Sequence, residues 1–172
     1  MRFKPVENLS QALQVRTLRN SCRQYLTNNR NYIGILRQLI WYFRHYRGAK
    51  NTGKYRLYLG YDDHGRAIGY GALAGKAGEL LATECVEVAY RGRGHGRWIL
   101  QQLICIAAKE NRNLVAEIWS TNERSITLHE KAGFKLASVI TQGGSELRRY
   151  SLPANALESG RYDSSDRSRV VA

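Results

Sequence analysis

No run of 18 apolar residues occurs in this 172-residue chain, so no membrane-spanning helix is expected. The start, Met1-Arg2-Phe3-Lys4-Pro5, lacks the apolar stretch of a secretory signal. Cysteine is scarce. Cys22, Cys85 and Cys105 are odd in number and widely spaced, which suggests neither a disulfide framework nor a zinc site. Reduced thiols, a cytoplasmic location and no bound metal are therefore expected. Acidic side chains are also few: 14 Asp and Glu stand against 27 Lys and Arg, a net charge of +13. The shortage is uneven. Residues 1–56 hold twelve basic residues and one acid, Glu7, whereas residues 57–153 hold twelve and ten, and residues 154–172 three of each. A positive field concentrated in the first third attracts polyanions, a clue to partners and not to fold.

What is present suits one compact domain. With 43% hydrophobic and 24% charged residues the chain has material for a core, and it is too short for an eight-fold α/β barrel of roughly 250 residues. A strand is expected near Phe3–Val6, then a helix capped by Asn8 or Ser10 with Leu9, Leu13, Leu18, Cys22 and Leu26 recurring near a 3.6 period. A second helix carries Ile33, Leu36, Ile40 and Phe43 on one side and stops at Gly48. Strands follow at Tyr55–Tyr61, Arg66–Leu73 and Glu79–Val88, a helix at Trp98–Glu110, a strand at Asn113–Trp119, and a short helix at Asn122–Ala132. A closing hairpin spans Phe134–Thr141 and Glu146–Leu152. The order is β-α-α-β-β-β-α-β-α-β-β. A single domain over residues 1–153 and a flexible tail over 154–172 are expected, with no repeat and no second core.

The strongest local signal is the strand–turn–helix Val86-Glu87-Val88-Ala89-Tyr90-Arg91-Gly92-Arg93-Gly94-His95-Gly96-Arg97. Glycines let backbone approach a ligand closely, and the amides opening the next helix, with its dipole, form an anion site suited to a diphosphate. Arg91, Arg93 and Arg97 add charge. No Lys-Ser/Thr follows, so it is not a Walker loop, and the glycine spacing is not that of a dinucleotide fingerprint. About 30 residues on lies Asn122-Glu123-Arg124-Ser125-Ile126-Thr127-Leu128-His129-Glu130-Lys131-Ala132-Gly133-Phe134.

Together the two segments resemble the GNAT superfamily of acyl-CoA-dependent N-acyltransferases. Arg91, Gly94 and Gly96 match its phosphate loop, and Asn122, Lys131, Gly133 and Phe134 its later motif, so the resemblance covers roughly residues 2–152. It implies an α/β GNAT fold with a mixed, mostly antiparallel sheet that splays between strands four and five after a bulge. It also implies acetyl-CoA as co-substrate, its pantetheine arm on strand four around Cys85–Val88, with Val86 and Val88 as contacts. The diphosphate would lie on Gly92, Arg93, Gly94, His95, Gly96 and Arg97, with Arg91 and Asn122 beside it. The acetyl group would pass to a primary amine by direct attack, with Cys85 of the wrong strand parity to serve as nucleophile. One departure is evident: His129 stands where the family usually has the tyrosine that protonates the leaving thiolate. Either His129 replaces that acid or it only fills the space. Glu84, on the Val86 face of its strand, is the candidate base; the alternative is a solvent-facing or salt-bridged carboxylate, with ordered water taking the proton as in many relatives.

Arg16, Arg19 and Arg23 share a face of the first helix, and Arg37, Trp41 and Arg44 a face of the second, with His45 nearby. Guanidinium and aromatic groups in alternation suit phosphate contact and base stacking. They equally suit an ordinary solvated face. The acceptor amine is therefore expected on a polyanion such as tRNA or DNA, or on a nucleoprotein; the alternatives are a small amine or amino sugar, and a non-catalytic module that binds acyl-CoA or nucleic acid. A homodimer is compatible with all three.

Overall fold

The computed structural model describes residues 1–27, 29–76 and 78–158. Its elements are β1 (Arg2–Pro5), α1 (Leu9–Cys22), a 3-10 turn (Arg23–Tyr25), α2 (Ile35–Trp41), a π turn (Tyr42–Tyr46), α3 (Arg47–Asn51), β2 (Tyr55–Tyr61), β3 (Ala67–Lys76) and β4 (Glu79–Val86). A 3-10 turn (Val88–Tyr90), α4 (His95–Lys109), β5 (Leu114–Trp119), α5 (Glu123–Lys131), β6 (Lys135–Gln142), β7 (Ser145–Leu152) and α6 (Ala154–Glu158) follow. The seven strands form one sheet in the order β1-β2-β3-β4-β5-β7-β6, antiparallel at every step except β4–β5. The expected element order and mixed sheet are those observed.

Helices cover both faces of the sheet. On one, Ile99, Leu100, Leu103 and Ile104 of α4 pack with Leu73, Leu80, Ala82, Leu114 and Ile118. Burying each such side chain contributes about 1.5–3 kcal/mol. Gly69 and Gly71 of β3 allow this approach: a Cβ on Gly69 would come within 2.7 Å of the Ile99 side chain and 2.4 Å of the Cys85 carbonyl. On the other face, Ala12, Val15 and Leu18 of α1 pack with Tyr42, Tyr46, Leu57, Leu59 and Tyr70. Asn8 starts α1 through a reciprocal cap: its side chain accepts from the Gln11 amide at 3.0 Å, and Gln11 accepts from the Asn8 amide.

Five expectations differ, the last of them at the cysteines. The stripe Leu36, Ile40 and Phe43 faces outward, Leu36 being 71% exposed, and the buried residues are Gln38, Tyr42 and Tyr46. The polar tips of the buried trio are satisfied by main-chain acceptors: Gln38 donates to the Ala12 carbonyl, Tyr42 to Glu7 and Tyr46 to Val6. Gly48 does not stop the helix, which continues to Asn51. β4 pairs with β3 without a register shift from Glu79 to Val86, so it carries no bulge. The tail expected from residue 154 begins with α6, where Ala156 packs on the core; the rest of that tail, 159–172, lies outside the described residues.

Cys22 and Cys85 are not the expected reduced thiols: they are bonded to each other, with Cα atoms 6.6 Å apart. The helix α1 lies across β3 and β4 with Cys22 turned down, and Cys85 points up from β4, so packing unites residues 63 positions apart. Among the described residues, no helix is long and apolar enough to cross a membrane.

Candidate active site

β4 and β5 pair only at Leu80–Ala82 against Leu114–Ala116 and then diverge. The main-chain groups of Thr83–Val86 on the β5 side are thereby left outside the ladder, lining a cleft of about 640 Å³. Ala116–Ile118 form its opposite wall, Cys22 and Tyr25–Thr27 one rim, and Thr121–Ser125 with Leu128 and His129 the α5 side.

The Gly-rich turn closes one end. Gly92 and Gly94 adopt φ values of +79° and +82°, a region that costs other residues about 1–2 kcal/mol. Gly94 is the N-cap of α4, so the amides of His95, Gly96 and Arg97 lack i−4 partners within the helix and add to the positive end of its dipole. Gly92, Gly94, Gly96, Arg91 and Arg97 line the cleft, as does Val86. Val88, Arg93 and His95 are not in that lining; Val88 sits exposed in the 3-10 turn. The Arg91 side chain turns inward, its Nε donating to the Val86 carbonyl at 3.0 Å, one Nη to the Cys22 sulfur at 3.2 Å, and the guanidinium 5.1 Å over the Tyr25 ring. Asn122 lines the cleft but spends its side-chain oxygen capping α5, accepting from the Ser125 amide.

Glu84 and His129 come together at the floor. Glu84 lies on the Val86 face of β4, and its Oε2 is 3.7 Å from His129 Nε2. His129 is 1% exposed, its ring edge on Phe134 and its Nδ1 2.9 Å from the Ser125 carbonyl.

Of the six acceptor-side candidates, Arg19 lies within electrostatic range of Arg23 and Arg37. Arg19 is buried and donates to the carbonyls of Asn29 and Asn31; Arg16 donates to the Ile33 carbonyl. Both guanidiniums therefore brace the α1–α2 connection. Trp41 stacks on Tyr46 at 5.2 Å, and Arg23 lies 5.9 Å over Tyr32. Arg37 and Arg44 are exposed on the outer helix. None of these six lines the cleft. Sequence reasoning missed Tyr25, Leu26 and Thr27 at the rim, and Arg124 and Lys131 as lining cations. The last two sit inside the second motif, which was the available signal.

The sheet thus opens beside its one parallel strand pair, with a helix N-terminus at the mouth and two ionisable groups at the floor. The family profile described as "Acetyltransferase (GNAT) domain" matches residues 53–136. No curated protein matches the chain significantly in sequence. Similar solved structures include a ribosomal-protein-alanine N-acetyltransferase from Brucella melitensis (17% identity, 89% of this chain and 99% of that one, TM-score 0.75). Another is spermidine N-acetyltransferase from Vibrio cholerae with CoA and spermine (14%, 90% and 96%, 0.77). A third is the GNAT superfamily phosphinothricin acetyltransferase from Sinorhizobium meliloti with AcCoA (18%, 89% and 89%, 0.69). Residues 53–136 are thus similar to a GNAT acetyltransferase domain, and the fold of the chain is the fold of these structures.

Proposed function

We propose that this enzyme transfers the acetyl group of acetyl-CoA directly to a primary amine borne by an anionic acceptor. The observation that carries the donor half is the continuity of one cleft from the α4 amides, past the unladdered edge of β4, to Glu84 and His129. The fit is chemical as well as spatial. The amides near Gly94–Arg97 suit a diphosphate, with Arg97, Arg124 and Lys131 supplying charge. The β4 edge offers main-chain partners to an amide-bearing pantetheine arm. Bound there, acetyl-CoA supplies the acetyl group as an activated thioester.

The chain's own part is mainly placement of the two reactants, with a main-chain N–H available to polarise the carbonyl. His129 is the proton donor to the leaving sulfur: the residue lines the cleft, and its buried Nε2 has no hydrogen-bond partner. Cys85 is no nucleophile, since its sulfur is bonded to Cys22 on the α1 face.

The rim argues for the acceptor class. Arg30 lies 4.6 Å over Trp119 with its Nε on the Leu26 carbonyl, beside Arg91 over Tyr25. Guanidiniums beside Tyr25 and Leu26 favour an amine carried on a phosphate or carboxylate, including aminoacyl-tRNA, although Glu117 and Glu123 also line the cleft. The second reading is a small acidic amine, which the same guanidiniums would attract. The test is thiol release from acetyl-CoA with aminoacyl-tRNA, DNA, acidic amino acids, spermidine and amino sugars at two salt concentrations. Anionic acceptors should react fastest; a KM rising steeply with salt marks the polyanion and a shallow rise the small acid. Preference for spermidine or a neutral amino sugar would reject the acceptor class, and no release with any amine would leave the non-catalytic alternative.

A further inference from the structure

The geometry points to Glu84 and His129 working as one couple that carries a single proton between the incoming amine and the departing sulfur, not as an independent base and acid. The inference deepens the acetyltransferase reading and rests on it.

The hydrogen-bonding requirement comes first. The Ser125 carbonyl, 2.9 Å from His129 Nδ1, can only accept, so Nδ1 carries a hydrogen. The Ser125 hydroxyl, at 3.4 Å, is a longer contact and adapts by rotation. In a neutral ring Nε2 then presents a lone pair, and the group it faces at 3.7 Å is a carboxylate oxygen, another acceptor. Two lone pairs repel. One proton on Nε2 turns the contact into an attraction, and the carboxylate in turn offsets the cost of a cation in a side chain only 1% exposed. The ring cannot turn away, because α5 holds Nδ1 on one side and Phe134 packs on the other. At 3.7 Å the pair is too far apart for a full hydrogen bond, so Glu84 keeps capacity for a second donor.

That donor is the amine. The neutral amine nitrogen forms the new C–N bond at the thioester carbonyl, and the proton it sheds passes to the Glu84 carboxylate. The C–S bond breaks, and the thiolate takes the proton held on His129 Nε2. Once the 3.7 Å gap closes to hydrogen-bond reach in the substrate complex, transfer of the Glu84 proton to Nε2 restores the starting couple. The products are amide and free thiol, with no net change in the protein.

Two measurements test this. In a double-mutant cycle, Glu84→Gln and His129→Gln should each lower kcat about 100-fold, the lower range for acid–base groups. The KM for acetyl-CoA should stay within about twofold, and the double variant should be no slower than the slower single one. Losses that multiply would overturn the couple. In ¹⁵N NMR of histidine-labelled protein without substrate, His129 should show a protonated-type Nε2 that becomes lone-pair type in Glu84→Gln, Nδ1 staying protonated. An unchanged Nε2 signal would overturn it as well. If wild type turned over no amine, the acetyltransferase reading would fail, while the NMR result would still decide the couple.

Discussion

The indole N–H of Trp119, the last residue of β5, donates to the carbonyl of Leu26 at 3.0 Å, bridging 93 positions of sequence. Arg30 caps the arrangement, stacked on the indole and donating to the same carbonyl. The bond holds the chain leaving α1 over the cleft, where Tyr25, Leu26 and Thr27 form the rim.

Trp119→Phe removes the donor and keeps much of the ring. It should lower stability by about 1 kcal/mol, the usual net worth of one hydrogen bond, in urea unfolding. Because the rim loosens, the KM for the amine should rise several-fold while that for acetyl-CoA barely moves. Equal rises in both would show that the bridge serves the whole cleft.

A Cβ at Gly94 would meet nothing within 4 Å, but φ is +82°. Gly94→Ala should therefore cost about 1–2 kcal/mol from backbone strain alone. Gly94→Leu adds bulk where a diphosphate must approach, and calorimetry should find acetyl-CoA affinity reduced at least about tenfold, one order being about 1.4 kcal/mol. Arg91→Glu should do likewise by reversing a charge at the same end. Unchanged affinity in these variants would refute the loop assignment.

Breaking the Cys22–Cys85 bond frees a closed loop of more than 60 residues in the unfolded chain. The chain-entropy argument gives about 4 kcal/mol, or a thermal midpoint lower by about 10 °C under reductant. Turnover by the folded protein should survive in Cys85→Ala, because the transfer uses no thiol. Complete loss of turnover there would overturn direct attack.

Burial pushes the Tyr46 and Tyr55 hydroxyls up to about 12 from an ordinary 10, and Tyr70 higher still. Tyr46 also donates to the Val6 carbonyl at 2.9 Å, a bond only the neutral phenol can make. The native state holds these protons more tightly than the unfolded state. Their contribution is thus complete below pH 10 and disappears as pH rises towards about 12. The urea midpoint should be flat up to about pH 10 and then fall, with a shallower fall in Tyr46→Phe.

Much of the fold was legible because local signals agreed with it. Asn8, one of the two candidate caps, starts α1, Gly92 and Gly94 mark the turn before α4, and alternation in β4 put Glu84 on the Val86 face. The outer helix was misread for a physical reason. Periodicity ranks Leu36, Ile40 and Phe43 above Tyr42 and Tyr46, yet the tyrosines have carbonyls of residues 6 and 7 waiting for their hydroxyls, and the π turn shifts the helix phase. Arg16 and Arg19 brace carbonyls, and a guanidinium that does so looks the same in sequence as one that awaits a phosphate.

The order of elements, the phosphate-type turn, the histidine in place of tyrosine and the charge of the first third follow from sequence by itself, because each rests on residues close together in the chain. Tertiary structure alone decided that Cys22 meets Cys85, that Trp119 meets Leu26 and that Glu84 faces His129. Those contacts depend on how helices seat on the two faces of the sheet, and no local spacing encodes that seating.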